Sequence, residues 1–240
     1  KAVLGTTDTP IKKPSYEPKP LKEEIDFILE TASQYFTKAP TRNDIKSVFA
    51  GLRPLVAPEG DKSNTKEISR GHKIIHSESG LITIVGGKWT TYREMSKDVI
   101  NDAIENHNLK RSPSKTKSLS IHGNISTNEK LGLNGVLWVY GSDAKQLMKL
   151  TETDASYKNK LHHNYEYTVG QVIWSARYEM ARTVEDVLAR RFRLLFLDAQ
   201  VSIDIAEKVA NILQKELNKT EDWKQNQIEE FTTLAKGYLI

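Results

Sequence analysis

Apolar residues recur along this chain at two different spacings. Leu21, Ile25, Ile28, Leu29, Ala32, Tyr35 and Phe36 follow one another at steps of three and four, which predicts an amphipathic helix opening behind Pro20 and closing before Pro40. Shorter apolar or β-branched stretches predict strands at Ala2-Val3-Leu4, Ser47 to Val56, Ile68 to His76 and Leu81 to Val85, with Ser77-Glu78-Ser79-Gly80 as a hairpin turn between the last two. After Gly86-Gly87 the spacing returns to that of a helix. Thr91 and Glu94 stand at capping-box distance, and Tyr92, Met95, Val99 and Ala103 form an expected buried stripe. Asn108 to Lys117, basic and containing Pro113, reads as a linker or surface loop. Beyond it helical spacing dominates, over Tyr167 to Leu188, over Ile205 to Leu217, and in a last helix anchored by Trp223, Phe231, Leu234 and Tyr238. The pattern predicts an α+β protein: a β-containing portion over 1–112, followed by an all-helical C-terminal domain over 113–240.

Composition narrows the class. Of 240 residues 38% are hydrophobic and 28% charged, which suits a globular protein. No run of eighteen apolar residues is present to span a membrane as a helix. There is no cysteine, which removes disulfides, thiolate nucleophiles and cysteine metal sites. The formal charge is +4, but the lysines are scattered among Glu and Asp, so a nucleic-acid partner is not expected. No basic segment followed by an apolar core opens the chain, and no signal peptide is expected. A strand entered at the second residue leads to the expectation of further residues upstream.

The stretch from Leu81 to Arg93 carries the clearest chemistry. A buried strand, two glycines and a helix start would present backbone N–H groups and the positive end of a helix dipole, with Lys88 adding a full charge. Such a corner suits an anion, a phosphate or a reduced flavin ring. The same pattern also suits an ordinary strand–helix turn with a surface lysine. Arg53, in an apolar segment before Pro54, and Arg70, at the start of another strand, are candidates to grip one phosphate with their planar donor forks. On spacing alone, a salt bridge with Glu or Asp, or plain exposure at a strand end, is the plainer explanation of each. The histidines form no metal site: His162 and His163 diverge as neighbours, and His72 and His76 share a strand face without a third ligand. Helix-spaced ion pairs explain Arg177, Arg182, Arg190, Arg191 and Arg193 among Glu179, Glu185 and Asp186. A G-x-G-x-x-G fingerprint, a P-loop, a serine nucleophile elbow and H-E-x-x-H are all absent from the sequence.

Taken in order, Gly5-Thr6-Thr7-Asp8, Phe49-Ala50-Gly51-Leu52-Arg53-Pro54-Leu55, Ser69-Arg70 and Gly86-Gly87-Lys88-Trp89-Thr90-Thr91-Tyr92-Arg93-Glu94-Met95 resemble FAD-dependent glycerol-3-phosphate dehydrogenase. Glu179 to Arg191 and Leu195-Phe196-Leu197-Asp198-Ala199 resemble the C-terminal domain of that family. The resemblance implies a flavoprotein that oxidises sn-glycerol 3-phosphate to dihydroxyacetone phosphate, passing hydride to FAD and electrons on to a quinone. It implies that Arg53 and Arg70 hold the substrate phosphate and that Thr6 sits near the substrate. Gly86, Gly87 and Lys88 would lie against the flavin ring, with Trp89 and Thr90 at its N1–C2=O edge; the general base is not assigned. Residues 1–112 would be the C-terminal portion of the FAD- and substrate-binding domain. A cytoplasmic protein, with peripheral contact at the inner face of the membrane, is the implied location. The glycine fingerprint that holds the FAD pyrophosphate would lie upstream, so this chain alone is expected to bind FAD weakly or not at all and to be inactive. Two other readings remain: an oxidase delivering electrons to oxygen, and a non-catalytic helical module that docks on a membrane or partner.

Overall fold

The computed structural model describes residues 1–53, 71–125 and 135–240. These form two compact units, one made of Lys1–Asp8, Ser15–Gly51 and His122–Ile240, the other of Thr9–Pro14 and Leu52–Ile121. The α+β class holds: among the described residues helices dominate, with one small antiparallel sheet.

The first unit contains α1 (Lys22–Ser33), α3 (Ala144–Glu152), α4 (Val169–Tyr178), α5 (Leu194–Leu197), α6 (Ala199–Asp204), α7 (Ala206–Glu216) and α8 (Glu221–Lys236). Short polar residues start several of them. Gln171 reaches back to the Thr168 N–H at 2.9 Å to open α4, Asp198 accepts the Val201 N–H at 3.2 Å to open α6, and Thr220 accepts the Trp223 N–H at 3.2 Å to open α8. The apolar faces of α4 to α8 converge on a core that includes Val184, Leu188, Leu195, Val209, Leu213 and Phe231. A smaller cluster of Tyr140, Ala144, Leu147 and Trp174 packs α3 against α4.

Several sequence expectations are corrected here. Helix α1 stops at Ser33, so Tyr35 and Phe36 lie beyond it and are exposed, while Ile25 and Ala32 carry its buried contact. Ala2-Val3-Leu4 is not a strand, and its side chains face solvent. Nor is Ser47 to Arg53 a strand; Pro54 to Val56 lie outside the described residues. Lys46, Ser47 and Val48 instead form a strap bound by single hydrogen bonds. The Lys46 carbonyl accepts the Ala199 N–H at 3.0 Å, Ser47 Oγ donates to the Leu195 carbonyl at 2.7 Å, and the Val48 N–H donates to the Tyr238 carbonyl at 2.9 Å. Phe49 meets the edge of Phe196 at 5.1 Å. The apolar run marks a strap against helices and not a ladder; Ser47 and Val48 are partly covered, while Phe49 and Leu52 remain 48% and 46% exposed.

The single helix expected over Tyr167 to Leu188 is two elements. The chain leaves α4 after Tyr178, turns through Met180 at φ 57°, and re-enters as a π-helical turn over Asp186–Arg191. Two arginines satisfy the carbonyl groups freed at the break. Arg182 donates to the Ala176 and Ala181 carbonyls at 2.9 and 2.8 Å, and Arg191 donates to the Glu179 carbonyl. Only part of this arginine-rich segment is helix-spaced pairing: Arg190 meets Asp186 at 3.1 Å, whereas Arg177 reaches Glu216 on α7.

Asp186 starts the second element by accepting the N–H groups of Arg182 and Thr183 at 2.9 and 3.1 Å, while Thr183 Oγ1 accepts the Asp186 N–H at 3.0 Å. Burial works against its charged form, but these hydrogen bonds and the Arg190 charge outweigh it and hold the carboxyl below its usual range. Asp186→Ala is expected to cost about 1 kcal/mol at neutral pH, as loss of a helix cap does. Because folding lowers this pKa, the advantage of the native protein over Asp186→Ala is full above pH ~4, the ordinary carboxylate value, and is lost as the pH falls through the lower folded value. Urea titrations of both proteins across that range check this.

In the second unit, β1 (His72–His76) and β2 (Ile82–Gly86) pair antiparallel with His72 opposite Gly86 and His76 opposite Ile82, as the hairpin reading expected. Ser77 and Gly80 close the turn with a 3.0 Å hydrogen bond. Helix α2 (Tyr92–Asn106) follows. Its expected buried stripe is only half realised: Met95, Val99 and Ala103 are partly covered, while Tyr92 and Ile100 are 59% and 58% exposed.

Candidate active-site corner

The corner is built where β2 hands over to α2. Gly86 and Gly87 both adopt positive φ, 75° and 78°, a region that costs residues with a Cβ and not glycine. The Gly87 N–H still belongs to the hairpin, donating to the Gly71 carbonyl at 3.1 Å. A side chain at Gly87 would also displace the flexible end of Met95, but it is the positive φ that requires glycine there. The double left-handed turn then delivers Lys88, which is exposed, and Trp89, which is 87% exposed. Trp89–Thr91 forms a 3-10 turn that feeds directly into α2. The Trp89 and Tyr92 rings lie side by side with centroids 5.7 Å apart.

The expected Thr91–Glu94 capping box is not formed. The 3-10 turn moves the cap back by one turn: Thr91 Oγ1 accepts the Lys88 N–H at 3.2 Å and donates to the Lys88 carbonyl at 3.0 Å. Glu94 turns to Lys97 instead, at 2.8 Å, and that hydrogen bond, with the lysine charge, holds its carboxyl below the usual range. Since the Gly87 and Lys88 N–H groups are already used, any attraction for negative charge at this corner rests on the Lys88 ammonium and the N-terminal end of the fifteen-residue α2.

Gly86, Gly87, Lys88, Trp89 and Thr90 are thus gathered into one turn. Arg53 lies in the same unit, exposed and outside any strand. Arg70 falls outside the described residues. Thr6 belongs to the other unit, where it is exposed and donates to the Thr7 carbonyl at 3.2 Å. Sequence reasoning passed over the pairing of β1 with α2. His72 Nε2 lies 3.0 Å from Asp98 Oδ2, and His76 Nε2 lies 2.9 Å from Asp102 Oδ1. The available signal was a pair of histidines and a pair of aspartates, each four residues apart. Among the described residues no group of three metal-ligating side chains could hold a metal ion. Asp198, within the C-terminal motif, is a structural acid: besides capping α6 it accepts from Tyr165 Oη at 2.9 Å and Lys1 Nζ at 3.1 Å.

Residues 81–226 match the family described as the C-terminal domain of alpha-glycerophosphate oxidase, and the chain belongs to that family. It is similar to the mitochondrial glycerol-3-phosphate dehydrogenase of Homo sapiens, with 34% identity over 258 residues, covering 98% of this chain and 35% of the relative. The mitochondrial glycerol-3-phosphate dehydrogenases of Schizosaccharomyces pombe and Saccharomyces cerevisiae are each 30% identical, over 285 and 284 residues. The chain spans 35% of the length of the human relative and 43% of each yeast relative.

Proposed function

We propose that this chain supplies part of the active site of an FAD-dependent glycerol-3-phosphate dehydrogenase, which oxidises sn-glycerol 3-phosphate to dihydroxyacetone phosphate. The observation that carries the reading is the corner: consecutive left-handed glycines place an exposed Lys88 and Trp89 at the start of a long helix. These residues fit one side of a flavin. Gly86 and Gly87 offer bare backbone, Lys88 and the helix start offer positive charge, and Trp89 and Thr90 frame the approach. Bound there, FAD would supply the hydride acceptor, whose ring gains negative charge on reduction. The chain's own part is to hold that charge with Lys88, and to grip the substrate phosphate with Arg53 and Arg70, with Thr6 near the substrate. Residues 1–112 would contribute to the FAD- and substrate-binding domain and 113–240 would form the helical C-terminal domain.

Electrons would pass to a quinone, with the protein peripheral at the inner face of a membrane; among the described residues no helix is long and apolar enough to cross one. A second acceptor, oxygen, is favoured only by the oxidase named in the matching family. The test is anaerobic addition of glycerol 3-phosphate to the FAD-loaded protein that includes an upstream glycine fingerprint. Bleaching of the flavin band, reversed by a quinone analogue without hydrogen peroxide, is the expected result. A bound flavin that glycerol 3-phosphate does not bleach would overturn the reading, and stoichiometric peroxide in air would reassign the acceptor to oxygen. In the same protein Arg53→Ala is expected to raise KM for glycerol 3-phosphate about ten- to hundredfold through loss of a charge-assisted phosphate contact, and to narrow its advantage over glycerol. Steady-state kinetics with both substrates check it.

A further inference from the structure

We propose that His72 and Asp98 are positioning residues that hold the Gly86–Trp89 corner in shape, with His76 and Asp102 anchoring the far end of the same clamp. The corner has little of its own to fix it. Two successive glycines lack side chains to pack, and Lys88, Trp89 and Thr90 are exposed. Its stiffness must come from what ties its two arms together.

Those ties form a closed ring. On the strand arm, His72 stands directly opposite Gly86 in the ladder, and the carbonyl of the preceding Gly71 takes the Gly87 N–H at 3.1 Å. On the helix arm, Asp98 lies in the second turn of α2. The His72–Asp98 contact at 3.0 Å joins the arms, so the path from Gly86 through Lys88 and along α2 to Asp98 returns through His72 to Gly86. Both side chains are partly covered, at 23% and 36% exposure, so solvent only partly competes for the contact. Glu94, one turn earlier on α2, is paired with Lys97 at 2.8 Å, and His72 meets Asp98. The repeat of the arrangement four residues on, His76 with Asp102 at 2.9 Å, fixes the register of strand against helix at two points. One partly exposed pair adds little to global stability. Its effect is local, on the turn it closes.

The catalytic consequence rests on the proposed role of the corner, but the test does not need substrate. The Gly87 and Lys88 amides are hydrogen-bonded to Gly71 and Thr91, so their hydrogen exchange reports opening of the corner. In the full chain, His72→Ala and Asp98→Ala are expected to speed exchange at these two amides by about fivefold, while the last turn of α2 is unchanged. His72→Gln, whose Nε2 can replace the imidazole Nε2 as donor to Asp98, is expected to restore protection to within about twofold of the native protein. Unchanged exchange at Gly87 and Lys88 in His72→Ala would overturn the inference. So would an equal rise along all of α2, or no rescue by His72→Gln. If exchange behaves as expected and His72→Ala still reduces bound flavin at the native rate, the positioning inference stands and the catalytic reading of the corner falls.

Discussion

Leu188→Ala is expected to destabilise the helical unit by about 3 kcal/mol, within the 2–5 kcal/mol typical of a buried leucine cut back to alanine. Leu188 is fully buried and sits in the π-helical turn, sharing its cluster with residues from α5, α7 and α8. The cost has two parts: the apolar surface no longer removed from water, and the void left when the surroundings relax only partly. Relaxation is restricted at this position. The turn is fixed at its start by Asp186 and Thr183, and Arg191, at its end, is tied to the Glu179 carbonyl. Thermal unfolding followed by circular dichroism should show a drop of roughly 6–12 °C, given ~2–4 °C per kcal/mol for a protein of this size. A loss below about 1 kcal/mol in urea titration would show that the π-helical turn does not carry the core.

The same segment shows what the sequence could and could not reveal. Spacing identified α7 and α8 well, because single amphipathic helices repeat one face without interruption. It ran straight through the break at Met180 because Val172 and Ala176 before it and Val184, Val187 and Leu188 after it all enter one core. No glycine or proline marks the turn. Thr183 and Asp186, at capping distance, were the signal left unread. Around Val48 and Phe49 a strap held by single hydrogen bonds and a strand look alike over a few residues, and the apolar run does not separate them. The corner was legible because strand, paired glycines and helix leave a local trace. The cap at Lys88 and the His–Asp clamp were not, since the first depends on a 3-10 turn and the second on the placement of a helix against a strand. The substrate roles of Arg53, Arg70 and Thr6 rest on family resemblance; Arg53 and Thr6 are exposed, and Arg70 lies outside the described residues.

Lys88→Met is expected to slow flavin reduction in the FAD-loaded protein by about 100-fold, the scale seen when one fixed group that stabilises developing negative charge is removed. Methionine keeps the length and the apolar stem of the side chain while removing the ammonium, so the change isolates charge. The Gly87 amide is bound to the Gly71 carbonyl across the hairpin and the Lys88 amide to Thr91 Oγ1, so they cannot substitute for the lost ammonium, and the end of α2 alone remains to offset charge. The phosphate contact assigned to the arginines is untouched, so ground-state binding of glycerol 3-phosphate should change little. The most direct measurement is anaerobic stopped-flow reduction of the bound flavin across a range of glycerol 3-phosphate concentrations, in native protein and Lys88→Met. A limiting rate lowered by about two orders of magnitude, with an apparent Kd within about threefold of native, is the result this account expects. An unchanged limiting rate, or a weakened Kd with normal reduction, would contradict it and move Lys88 away from the reacting ring.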